Sequence, residues 1–222
     1  MLVDALQKFY GALPSPPRDP FGLFVWEVLS VHATPRKRDA AFGALRRIRA
    51  LTPDSLTRAP KKKLEESVAL AGSYTEQRLQ ALKTGADRFR RVPRLASVIR
   101  GPVTTARREL RRLPQMGEGG AHRMLLFAAD HAVLPVDATV RRVAARLGYG
   151  SLDRKQLASA RAIRQAITAD LTPDPDVFRR TFLYLSHHGA ATCTDTNPHC
   201  AICPLLIECP YGQAEVAVRD GR

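Results

Sequence analysis

Apolar positions along this chain recur at helical rather than strand spacing. Asp19-Pro20 reads as a cap with a first-turn proline, opening a run from Phe21 to Leu29. That run is apolar on nearly every side and therefore predicts a central buried helix, broken before Pro35. A basic amphipathic helix follows from about Arg38 to Ala50, with Phe42, Leu45 and Ile48 on one stripe. Thr52-Pro53 and Pro60 each start a short helix, the second ended by Gly72. Ser73 and Glu76 have capping-box spacing ahead of a longer helix through Leu79, Leu82 and Ala86. Arg107 to Arg112 form a basic helical run that Pro114 should end, and Met124 to Ala128 form the core of the next helix. Val140, Val143, Ala144 and Leu147 fall at i, i+3, i+4 and i+7 before Gly148. Two more helices are expected, from about Arg154 to Ala169 and from Pro175 through Phe178, Phe182 and Leu185 to Gly189. About ten helices and no convincing strand make an all-α protein. No internal repeat, low-complexity segment or linker divides it.

Charge then narrows the partner. The 222 residues carry 35 Lys and Arg against 21 Asp and Glu, a formal net charge of +14. A basic surface of that size points to a polyanion, most commonly nucleic acid. No apolar run has the length of a membrane span. Asp4, Lys8 and Pro14 interrupt any signal-peptide-like apolar region, so the sequence reads as cytoplasmic and nucleoid-associated, without a membrane partner.

Two motifs carry chemistry. The first is Leu113-Pro114-Gln115-Met116-Gly117-Glu118-Gly119-Gly120 between two helices. Glycines beside first-turn amides offer bare N–H groups and a positive dipole end, a seat for a phosphate; the same pattern also suits an ordinary helical hairpin. The second is Cys193, Cys200, Cys203 and Cys209, spaced C-x6-C-x2-C-x5-C, with no cysteine before them. Paired disulfides suit secreted mini-domains, and structural zinc prefers two C-x2–4-C knuckles where only Cys200/Cys203 makes one. Four thiolates on one short loop, kept from becoming helix by Pro198, Pro204 and Pro210, suit a cubane iron–sulfur cluster better.

Together, the Gly-containing hairpin, Val136-Asp137 some twenty residues later, the four cysteines, and Leu29-Ser30-Val31-His32-Ala33-Thr34 resemble endonuclease III, the iron–sulfur branch of the helix–hairpin–helix DNA glycosylases. The resemblance covers nearly the whole chain. It implies two helical domains flanking a DNA groove: a six-helix barrel over residues 21–132, and a cluster domain built from 1–20 and 133–222. It implies a [4Fe–4S] cluster on the four cysteines and Asp137 as the catalytic carboxylate, against the plain alternative of Asp137 as a helix cap. His32, Gln115, Gly117, Gly119, Arg111 and Arg112 are the implied DNA contacts. The partner is duplex DNA with a damaged base, mismatch or abasic site, bound by a monomer. A flipped base whose N-glycosidic bond breaks through an oxocarbenium-like sugar needs such a carboxylate.

The sequence also departs from that pattern. The lysine that forms a Schiff base in bifunctional members is replaced by Gly119, which implies base release without strand cleavage. Gln115 replaces the first hairpin glycine, and His32 the wedge-like glutamine. Thr139 stands where endonuclease III has histidine, and Thr194–His199 lacks the family's basic residues. A second reading follows from these changes: an iron–sulfur protein that recognises lesions without cleaving.

Overall fold

A computed structural model describes residues 2–91, 95–150, 159–169 and 171–219. Among them there is no strand. The helices are α1 (Leu2–Tyr10), α2 (Pro20–Ser30), α3 (Pro35–Arg47), α4 (Pro53–Arg58), α5 (Lys61–Ala69), α6 (Thr75–Arg91), α7 (Leu95–Val98), α8 (Val103–Leu110), α9 (Glu118–Ala128), α10 (Ala138–Arg146), α11 (Ala160–Thr168), α12 (Pro175–Ala191) and α13 (Pro210–Arg219). No described helix is long and apolar enough to cross a membrane. The chain divides into two compact units, one of residues 16–131 and one of 1–15 with 132–222.

In the 16–131 unit, α2 is the central helix and packs against α3, α6 and α9. Leu23, Phe24, Val25 and Leu29 are fully buried, as expected of a helix apolar all round. Asp19 caps it, its Oδ2 accepting from Gly22 N at 2.6 Å. Gly85 on α6 leaves room for the Phe24 ring, which a Cβ there would strike. Pro35 does more than end α2: behind an N-cap Thr34 it supplies the first turn of α3. Helix α6 begins at Thr75, just after a left-handed Tyr74 (φ 69°).

In the other unit, α10 and α12 pack together, with α1 against α12 and α11 and α13 against α10. Gly189, expected to end a helix, lies inside α12. A Cβ at Gly189 would meet Thr139 and come within 2.9 Å of Val143 Cγ2, so the glycine sets how closely α10 approaches. Helix α1 has no counterpart in the expected elements; it is short but buries Val3 and Leu6. Pro210 does not keep its neighbourhood irregular: it opens α13, where a proline is tolerated at the first turn. Of the helix expected from Arg154, residues 151–158 lie outside the described residues.

Candidate nucleic-acid interface and thiol centre

The hairpin is built as its sequence suggests, with one compromise. Helix α8 ends at Leu110, Arg111 follows as its C-cap, and Leu113 and Met116 anchor the turn in the core. Gln115 occupies the left-handed region at φ 57°. That region costs a residue with a Cβ roughly 1–2 kcal/mol, which a glycine would avoid. Its amide Nε2 donates to Gln77 O at 3.3 Å. Gly117 is the N-cap of α9 and provides no side-chain cap, so no side chain of the N-cap covers the first-turn amides. Gly119 is helical, in that first turn, and half-buried.

Arg107, Arg108, Arg111 and Arg112, all exposed, line one shallow depression with Thr104. Glu118 stands at its edge. Its oxygens lie 3.3 Å from Arg107, 3.2 Å from Arg111 and 3.3 Å from His122 Nε2, spanning the two hairpin helices. Arg112 pairs with Glu109 at 2.5 Å. Arg123, the other arginine near the hairpin, is held by both oxygens of buried Glu27, at 2.7 and 2.6 Å.

His32 is exposed and left-handed (φ 51°), and its ring centroid is 5.3 Å from that of Tyr74, itself left-handed and exposed. Buried Arg78 staples the two loops: Nη2 donates to Val31 O at 2.5 Å and Nη1 to the carbonyls of Gly72 and Ser73. Burial without a carboxylate partner lowers the Arg78 pKa. Because Gln77 belongs to the same end of α6 as Tyr74, the structure brings His32 and Gln115 to that end. Tyr74 and Arg78 gave no motif in the sequence; an arginine stripe position inside a helix is the only hint.

In the other unit, Asp137 is the half-buried N-cap of α10, its Oδ1 accepting from Val140 N at 2.9 Å. The opposite end of α10 grips the cysteine loop. Arg142 donates to Gly189 O at 2.6 Å and Cys193 O at 3.1 Å. Buried Arg146 donates to Thr194 O, Asp195 O and Cys193 Sγ, the last at 3.3 Å, and lies over the Tyr211 ring. Burial opposes the Arg146 charge, but the hydrogen bond and negative charge of Cys193 outweigh it and raise its pKa.

All four cysteines line one small cavity with Leu205, Tyr211 and His188. Main-chain N–H groups point at two sulfurs: Leu205 N to Cys203 Sγ at 3.4 Å and Gly212 N to Cys209 Sγ at 3.3 Å. Burial raises the thiol pKa of Cys200 and Cys203, and the neighbouring cysteines raise both further. No group of three or more His, Cys, Asp or Glu among the described residues is arranged around a single ion. His188 stands behind Cys203, and Tyr10 of α1 behind His188. Neither was singled out in the sequence; the pair His187-His188 shortly before Cys193 was the available signal.

No family model matches the chain. A solved endonuclease III–DNA complex superimposes with a TM-score of 0.75, covering 97% of this chain and 95% of that one at 23% identity. The chain has the endonuclease III fold. A thermostable thymine-DNA glycosylase superimposes with a TM-score of 0.69 over 96% of this chain and 95% of its own, at 20% identity. In sequence, the chain is similar to endonuclease III of Thermotoga maritima, at 26% over 209 residues, 92% of this chain and 91% of that protein. It is also 26% identical over 203 residues, 90% of its length, to the chloroplastic endonuclease III homolog 2 of Arabidopsis thaliana. The chain spans about half the length of that plant relative. The endonuclease III-like chain carries the hairpin in one compact unit, and the aspartate at the head of α10 and the cysteine loop in the other.

Proposed function

We propose that this protein is a base-excision-repair DNA glycosylase that hydrolyses the N-glycosidic bond of a damaged or mismatched base and leaves the strand intact. The observation that carries the reading is Asp137 at the N-cap of α10, on an endonuclease III fold whose hairpin presents a cluster of four arginines. The hairpin helices seat duplex phosphates through first-turn amides at Gly117–Gly119 and through Arg111 and Arg112. His32 lies on the loop held by Arg78 and fills the gap left by the flipped nucleotide. Asp137 places negative charge beside the sugar as its positive charge develops and orients the attacking water. Its cap bond to Val140 fixes the carboxylate on a rigid helix end.

No amine serves the sugar at the position of Gly119. Arg123 is engaged by Glu27 and stays protonated, so it is no nucleophile. The product is therefore a free base and an abasic site. The similarity in fold to a thymine-DNA glycosylase is in keeping with a mismatched as well as a damaged base as substrate. The protein is read as an intracellular monomer acting on duplex DNA in the nucleoid.

Cys193, Cys200, Cys203 and Cys209 would hold a [4Fe–4S] cluster. The donor set fits: four sulfurs around one cavity, two of them facing main-chain N–H groups and a third facing the Arg146 guanidinium. When bound, the cluster would supply a one-electron centre and tie the loop to α10 through Arg146 and Arg142.

The test is purified protein against a panel of lesion- and mismatch-bearing duplexes, scoring base release separately from strand cleavage. Release without cleavage is the expected result. Tight lesion binding with no release from any duplex would favour the second reading, a lesion-recognising protein that does not cut, for which the loss of the lysine at Gly119 speaks.

A further inference from the structure

Behind the cysteine loop runs a line of hydrogen bonds that DNA chemistry does not use. Thr192 Oγ1 lies 2.6 Å from Tyr10 OH, Tyr10 OH lies 2.8 Å from His188 Nδ1, and His188 Nε2 lies 3.7 Å from Cys203 Sγ. His188 is 2% exposed and Thr192 5%, while Tyr10 and Cys203 at the other points of the line are half-buried. The directions can be assigned. A histidine facing a thiolate offers it a proton, which puts hydrogen on Nε2. In the neutral ring Nδ1 then accepts, so Tyr10 donates to it, and Tyr10's oxygen accepts a hydrogen bond from the Thr192 hydroxyl. Tyr10 thereby selects the His188 tautomer. It reaches the site on α1, a helix packed on α12, and its ring also meets His187 edge-on at 4.7 Å.

We infer that His188, set in its Nε2–H tautomer by Tyr10, is a positioning residue that donates to Cys203 sulfur and raises the reduction potential of the cluster. This rests on the cluster reading above. An N–H donor stabilises the form with more negative charge on the sulfurs, which is the reduced one. Cys203 and Cys193 are the sulfurs facing a side-chain N–H, from His188 and Arg146 respectively. Of the two donors, Arg146 also carries a permanent positive charge, so His188 is the one whose replacement tests the hydrogen bond itself.

The experiment compares the parent holoprotein with His188→Phe, His188→Gln and Tyr10→Phe by protein-film voltammetry, after iron and sulfide analysis of each. His188→Phe should lower the potential by an amount equal to about a tenfold change in the reduced-to-oxidised ratio, about 59 mV for one electron. His188→Gln, whose amide N–H also donates, should recover most of it. Tyr10→Phe keeps the imidazole but frees its tautomer, and should shift the potential the same way by less. Coincident potentials for the parent and both Phe variants, with iron and sulfide intact, would overturn the inference. If His188→Phe fails to retain iron, Tyr10→Phe decides alone, and an unshifted potential there overturns it. A parent protein without iron or sulfide fails the cluster reading itself, and the inference with it, before any potential is measured.

Discussion

Asp137 offers the sharpest separation of structure from chemistry, because its two roles respond differently to two substitutions. As a cap it accepts a main-chain hydrogen bond from Val140 N at 2.9 Å. Losing a cap of this kind costs about 1 kcal/mol, or about 2–4 °C in Tm for a chain of this size. Helix α10 would not move far, since Arg142, Arg146 and the Gly189 contact hold its other turns. Asp137→Ala should therefore fold, with that modest loss. Asp137→Asn should keep nearly all the stability, because asparagine caps as well as aspartate. What asparagine cannot do is place a negative charge beside the sugar. Electrostatic stabilisation of this kind is worth about 100-fold or more, about 2.7 kcal/mol at the transition state. Single-turnover base release on the best duplex of the panel, read beside thermal melting and duplex affinity, gives all three quantities. The expected pattern for Asp137→Asn is unchanged melting, unchanged affinity and at least a 100-fold slower release. Release by Asp137→Asn at the parental rate, with Asp137→Ala destabilised, would reduce Asp137 to a helix cap.

Metal analysis of anaerobically prepared protein should find four iron and four sulfide per chain, on the stoichiometry of about one cubane cluster; one zinc without sulfide would refute the cluster. Replacing Arg111 and Arg112 together should weaken duplex binding regardless of sequence and flatten the salt slope by about one per lost phosphate contact. A parental slope near zero would contradict this. Glu118→Gln removes the carboxylate that Arg107 and Arg111 face, so duplex affinity should rise and the salt slope steepen; unchanged or weaker binding would show that Glu118 does not compete with phosphate. The parent should give no borohydride-trapped complex, whereas Gly119→Lys should give some, since Gly119 is helical and a side chain there meets no left-handed strain. Trapping by the parent would mean that another amine serves the sugar.

The parts most legible in the sequence were those set by local rules. Asp19-Pro20 and Thr52-Pro53 open helices because a short polar acceptor and a fixed φ both suit a first turn, whatever surrounds them. That the four cysteines would meet was legible because their spacing puts them on one short loop, and all four line one cavity. Gly189 misled because glycine's two uses look alike in one dimension. It ends helices by taking positive φ, and it also lets a neighbouring helix approach, which is its use here against Thr139 and Val143. Pro210 misled for the same kind of reason, since proline forbids a helix interior but favours its first turn. The Tyr10–His188–Cys203 line was out of reach altogether, because 178 residues separate Tyr10 from His188 and nothing in the α1 pattern marks the tyrosine as more than an apolar neighbour. The hairpin lies between these extremes. Its turn was legible, but only the backbone shows that Gln115 takes a left-handed conformation that a glycine would adopt at less cost. That geometry survives despite its cost because Leu113 and Met116 on either side are buried and fix the turn.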